Sequence, residues 1–127
     1  MDRVEAEMLT GKADPTEALQ KIASIGLRKG IVTQGAESCF VLDGSRIYQV
    51  QVPRTPVIDT TGAGDILGGA TISWYLKTRD FLRSACFGIA ASSLSLHMIA
   101  LAKIDLPMSV DDSAMKLFST ASPVATV

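Results

Sequence analysis

Two cysteines, one histidine and 6% aromatic residues are sparse resources for a chain of 127 residues, and each shortage excludes a class of chemistry. Cys39 and Cys86 lie far apart, with no CxxC and no neighbouring pair of histidines. Zinc-finger and thioredoxin-like readings therefore lack support, and two buried, reduced thiols are expected. His97, the single histidine, sits in an apolar helical stretch and reads as a core or loop residue. Charge of one sign is lacking too: 12 Lys and Arg face 13 Asp and Glu, for a net charge of −1. With no basic run, no nucleic-acid partner is expected. The N-terminus "MDRVEAEMLTG" has no apolar core that could serve as a signal peptide, which makes the cytoplasm the expected compartment. One long apolar run exists, "SACFGIAASSLSLHMIALA", between Arg83 and Lys103, and it approaches the roughly 20 residues needed to span a bilayer. Its four serines, glycine and histidine instead suit close packing in a layered fold, so no membrane partner is expected.

What is present is apolar and patterned. Hydrophobic residues make up 47% and charged residues 20%, the balance of a globular chain. The length fits one domain or part of one, and is short for an enzyme that must enclose two substrates. Val4 to Leu9 reads as a short helix closed by Gly11. Asp14-Pro15 opens a second, with a capping aspartate and Pro at the first helical position, and Ala18, Leu19, Ile22 and Ile25 on one face. Three β-rich runs follow, "GIVTQG", "SCFVLDG" and "RIYQVQVP". Asp43-Gly44 between the last two is a hairpin signal. Helical periodicity then covers Asp65 to about Lys77, Phe81 to about Ala100, and Asp111 to Phe118. The tail "STASPVATV" is expected to fray. This order indicates an α/β layered domain.

The chemistry concentrates in "DTTGAGD", Asp59 to Asp65, at the head of the third helix. Gly62 and Gly64 allow backbone dihedrals in which successive N–H groups converge, and a helix N-terminus behind such a nest favours an anion. A carboxylate at Asp65 is out of place beside a phosphate unless it accepts a proton from an attacking hydroxyl. Alternatively Asp65 simply caps its helix, as Asp commonly does.

"VIDTTGAGDILGGA" resembles the signature of the ribokinase-like carbohydrate kinases, the phosphofructokinase-B (PfkB) family. Their pattern is D-T-x-G-A-G-D before a helix rich in small residues, and all six fixed positions match. "GIVTQGAESCFVLDG" is similar to the family's nucleotide-side strand and hairpin, V-T-x-G-x-x-G, with Ser38 at the last glycine. "VEAEMLTG" with Asp2 resembles the N-x-x-E element, with Asp for Asn. "FGIAASSLSLHMIA" resembles the penultimate helix and the loop after it. The match covers nearly the whole chain but only the later part of a family member, which usually runs to about twice a domain of this length.

The resemblance implies a three-layer αβα ribokinase-like fold, present in part, with residues 1–127 as its C-terminal nucleotide-binding and catalytic portion and 119–127 a flexible tail. It implies an ATP-dependent kinase that phosphorylates a hydroxyl of a sugar or nucleoside, inactive as an isolated fragment. "AASSLSLHMIALAKIDLPMS" is more like pseudouridine kinase-type members, a weak preference for a nucleoside. Asp65 would be the base, with the amides of Gly62, Ala63 and Gly64 as the anion hole. Glu5 would hold magnesium through water, and Thr33, Gly35 and the backbone at Gly88 would line the nucleotide. Asp59 and Thr61 would lend carbonyl oxygens to a potassium loop, although Ile99-Ala100 replaces the Gly-Ala of many relatives. Surface left by a missing N-terminal half implies self-association or a homo-oligomer. The alternative is a truncated, non-catalytic nucleotide-binding or interaction module.

Overall fold

A computed structural model describes residues 1–53, 61–100 and 109–127, with only the backbone described for 96–100. The chain divides into two compact units, Met1–Gln51 with Thr120–Val127, and Val52–Ser119.

The first unit is helices packed on an antiparallel sheet. Helix α1 (Arg3–Thr10) ends at Gly11, and α2 (Pro15–Ser24) starts at Asp14, whose carboxylate accepts the Glu17 N–H. Strands β1 (Lys29–Gln34), β2 (Ser38–Asp43) and β3 (Arg46–Gln51) follow the three β-rich runs closely. They pair in sequence order, with Val32 opposite Phe40 and Leu42 opposite Ile47. The core gathers Ala6, Ala18, Leu19, Ile22 and Ala23 from the helices against Val32, Leu42 and Ile47. Packing is tight: a Cβ on Gly30 would stand 3.3 Å from Leu19 Cδ2. Cys39 and Val41 are buried as well as Leu42, so side chains on both faces of β2 are apolar and the strand reads as a nearly continuous apolar run. Ser38 opens β2 outside the left-handed region, so a side chain is accommodated where the family pattern has glycine.

The tail departs from expectation. Ser122–Thr126 forms β4 and pairs with β3, with Ile47 opposite Ala125 and a register shift between Ile47 and Tyr48. The Gln20 side chain donates to Thr126 O at 3.2 Å, and Val127 N–H donates to Ser45 O at 2.9 Å. A sheet edge offers unpaired backbone donors and acceptors to any segment that reaches it, which a weakly patterned tail does not reveal.

The second unit is helical: α3 (Ala63–Thr78), α4 (Phe81–Ala100) and α5 (Val110–Thr120). Trp74 stacks on Phe87 with centroids 4.2 Å apart, and Tyr75 meets Phe81 edge-on at 5.7 Å, so both aromatic residues of α3 pack against α4. Ala85, Cys86, Ile89 and Ala90 are buried on α4, and Ala114 and Leu117 on α5. Arg83 lies 4.8 Å from the centre of the Phe118 ring, a cation–π contact between α4 and α5. Among the described residues no helix is long and apolar enough to cross a membrane. The side chain of His97 lies outside the described residues.

Candidate functional site

In the second unit, residues 61–65 of the signature lead directly into α3. Gly62 is the N-cap, with φ 79° and ψ −2°, a left-handed conformation that side chains resist. Ala63 is the first helical residue, so α3 begins two residues before the Asp65 start that periodicity suggested. Gly64 continues in the helix without a positive φ; only Gly62 uses the freedom that both glycines have. What Gly64 contributes is space, since a Cβ there would meet no atom within 4 Å.

Asp65 stands at the third position of α3 and is exposed. It is not the N-cap residue, and no side chain caps the helix. Helix α3 thus starts with the orphan N–H groups that any helix start carries, and without the aspartate cap that α1 and α2 both have. Thr61 is exposed beside Gly62, whereas Asp59 lies outside the described residues.

Gly88 occupies a different place, buried between α3 and α4. A Cβ there would overlap Thr71 Oγ1 and stand 2.6 Å from Leu67 O, which gives this glycine a packing reason that needs no nucleotide. The Thr71 hydroxyl is buried without a hydrogen-bond partner, a cost accepted where the helices meet. The first turn of α3 is also tied to α4: the Ser92 hydroxyl donates to Ala63 O at 2.8 Å.

In the first unit, Thr33 and Gly35 come together with Asp2 around an open cleft of about 370 Å³, also lined by Arg3, Gln34 and Glu37. The segment before α1 runs parallel to β1: Thr33 N–H donates to Met1 O at 3.0 Å, and Asp2 bridges Thr33. Glu5 does not line this cleft but is linked to it through Asp2. The Glu5 N–H donates to Asp2 Oδ1 at 2.8 Å, and the Asp2 N–H donates to Glu5 Oε2 at 2.9 Å. The element that resembles N-x-x-E is therefore a capping box, a D-x-x-E signal visible in the sequence but read there only as a family motif. Asp and Asn cap helices about equally well, so Asp2 fulfils the local role despite departing from the family residue.

Both cysteines are buried, and burial, helped by the charge of Asp80, pushes the Cys86 thiol up to about 12. Neither the head of α3 nor the cleft includes a thiol. Among the described residues no group of three His, Cys, Asp or Glu side chains could hold a metal ion. Magnesium commonly needs only one or two carboxylates, with water and phosphates supplying the rest, so the exposed Glu5 suits that mode of binding.

Residues 1–102 match the pfkB family of carbohydrate kinases. The chain is 31% identical over 103 residues to an ATP-dependent 6-phosphofructokinase of Thermoanaerobacterium thermosaccharolyticum, covering 81% of this chain and 32% of that protein. It is 32% identical over 102 residues to a ribokinase of Staphylococcus aureus, covering 76% and 34%. The chain thus spans about a third of the length of these curated relatives. An Arabidopsis thaliana ribokinase, solved with ribose and ATP, superposes with a TM-score of 0.66 at 22% identity, covering 92% of this chain and 39% of that one. That likeness carries the fold, which is the ribokinase-like α/β fold present in part. With the signature at the head of α3 and the family match over most of its length, the chain belongs to the pfkB family of carbohydrate kinases.

Proposed function

We propose that the chain carries the phosphoryl-transfer end of a sugar kinase, with ATP as donor and Asp65 as the base. The observation that supports this best is the start of α3. Gly62 is left-handed, no side chain caps the first turn with its orphan N–H donors, and an exposed carboxylate stands in that turn without serving as the helix cap. The amides of Gly62, Ala63 and Gly64 would bind the transferring phosphoryl group, with the helix dipole behind them.

In this reading the acceptor hydroxyl oxygen attacks the γ-phosphorus while the bond to the β,γ-bridging oxygen breaks. ADP leaves, and the hydroxyl proton passes to Asp65. Such a reaction depends on positioning and charge stabilisation rather than covalent catalysis. Thr33 and Gly35, in the first unit, would line the nucleotide side. Glu5 would hold magnesium through water, and the bound ion would neutralise charge on the phosphates. Asp59 and Thr61 would serve a potassium loop in the same reading.

Ribokinase, 6-phosphofructokinase and 2-dehydro-3-deoxygluconokinase are the names that relatives carry, which favours a sugar hydroxyl over the nucleoside suggested by the segment after Gly88. Transfer of labelled phosphate from ATP to a panel of sugars and nucleosides tests both. Asp65→Asn is expected to lower turnover by about 10²- to 10⁴-fold with ATP binding kept. Parallel loss of ATP binding would count against a purely basic role. ATP binding by the unaltered chain with no transfer to any acceptor would favour a non-catalytic binding module.

A further inference from the structure

We infer that Ser92 is a positioning residue for the anion hole, holding the Ala63–Gly64 peptide from behind so that its N–H faces the phosphate. This inference rests on the anion-site reading of the Gly62 to Asp65 turn.

The contact is specific. The Ser92 side chain, 7% exposed, donates to Ala63 O at 2.8 Å across 29 residues of sequence. The nearby hydroxyls of Ser84 and Ser95 instead bond to carbonyls of their own chain segment, Asp80 O and Ser92 O, the usual local choice for serine on a helix. Ser92 gives up that local option to reach the first turn of α3.

The consequence follows from peptide geometry. None of the described peptide bonds is cis. In a planar trans peptide the C=O and N–H point in opposite directions, so fixing the Ala63 carbonyl fixes the Gly64 N–H on the other side. A side-chain cap would stabilise this turn by occupying its N–H groups. A bond on the carbonyl side stabilises it and leaves those donors available for a ligand.

The turn needs such support. Four glycines, at 62, 64, 68 and 69, fall within eight residues, and each glycine inside a helix weakens it relative to Ala. Gly62 supplies the left-handed bend but no capping side chain. Removing the Ser92 hydroxyl leaves this glycine-rich turn to its own ladder, free to sample orientations in which the Gly64 N–H turns away.

The test uses the full chain, isotope-labelled, titrated with inorganic tripolyphosphate and with ATP and magnesium, while the Gly62 and Gly64 amide resonances and their hydrogen exchange are followed. Expected are shifts at both amides in the unaltered chain, and binding weakened about three- to tenfold in Ser92→Ala with faster exchange at Gly64. Ser92→Thr should restore binding, and Ser95→Ala should behave as the unaltered chain. If Ser92→Ala does not fold, Ser92→Cys, close in size and a poor donor, takes its place in the same comparison. Equal affinity and an unchanged Gly64 response in the hydroxyl-deficient variant would overturn the positioning role while leaving the site intact. No shift at Gly62 or Gly64 in the unaltered chain at saturating ligand would overturn the anion-site reading, and this inference with it.

Discussion

Asp2 and Glu5 exchange hydrogen bonds at 2.8 and 2.9 Å, so one carboxylate caps α1 while the other, the expected magnesium residue, is held by its partner's backbone. Substitutions can separate the two jobs. Glu5→Gln keeps an acceptor for the Asp2 N–H and should leave thermal stability nearly unchanged, while raising the magnesium concentration needed for half-maximal nucleotide binding. Asp2→Ala should cost about 1 kcal/mol of stability, and Asp2→Asn only a few tenths. Calorimetric melting alongside magnesium titration reads both effects. An unchanged magnesium requirement in Glu5→Gln would restrict that residue to capping.

Gly64 faces open space, so the fold has no steric objection to a larger residue there. Gly64→Leu should leave the melting temperature equal or higher, because Leu favours a helix over Gly by somewhat under 1 kcal/mol. Nucleotide binding, measured by isothermal titration, should fall at least tenfold if phosphate approaches this turn. Loss of stability in parallel would mean that the position is filled by packing rather than by ligand.

Gly88 is the opposite case. Gly88→Ala places a methyl group against Thr71 Oγ1 and the Leu67 carbonyl, so α3 and α4 must move apart. A loss of about 1–3 kcal/mol is expected from overpacking. Adding Thr71→Ala should recover only part of it, since the backbone carbonyl remains. Thr71→Val alone should be neutral or stabilising, because it removes a buried hydroxyl with no partner. Chemical denaturation of the three variants beside the unaltered chain tests the set.

Cys86 should make the chain sensitive to alkali. Its thiol would ionise near 9.0 when unfolded but is pushed up to about 12 in the fold. Between those values the unfolded chain releases a proton that the folded chain retains, so stability is complete below pH 9 and declines as pH rises toward 12. In Cys86→Ala the decline over that window should be shallower. Denaturation midpoints from pH 8 to 11 provide the comparison, and identical slopes would remove Cys86 as the cause.

Local signals carried the elements that the sequence itself determined. Asp14-Pro15 set the start of α2, Asp43-Gly44 joined β2 to β3, and the apolar runs of β1 to β3 appear as strands within a residue or two. The Asp59–Asp65 signature pointed to the family because it is one short contiguous stretch, legible without knowing what packs against it, and its Gly62 takes the left-handed conformation at the head of α3. Tertiary structure decided the rest. That Ser122–Thr126 is a strand depends on the open edge of β3, and that Gly88 must be glycine depends on Thr71 and Leu67 of another helix. That Ser92 reaches Ala63 rather than its own helix depends on how α3 crosses α4. These relations join residues tens of positions apart, and no periodicity within a short window of sequence encodes which distant surface a side chain will meet.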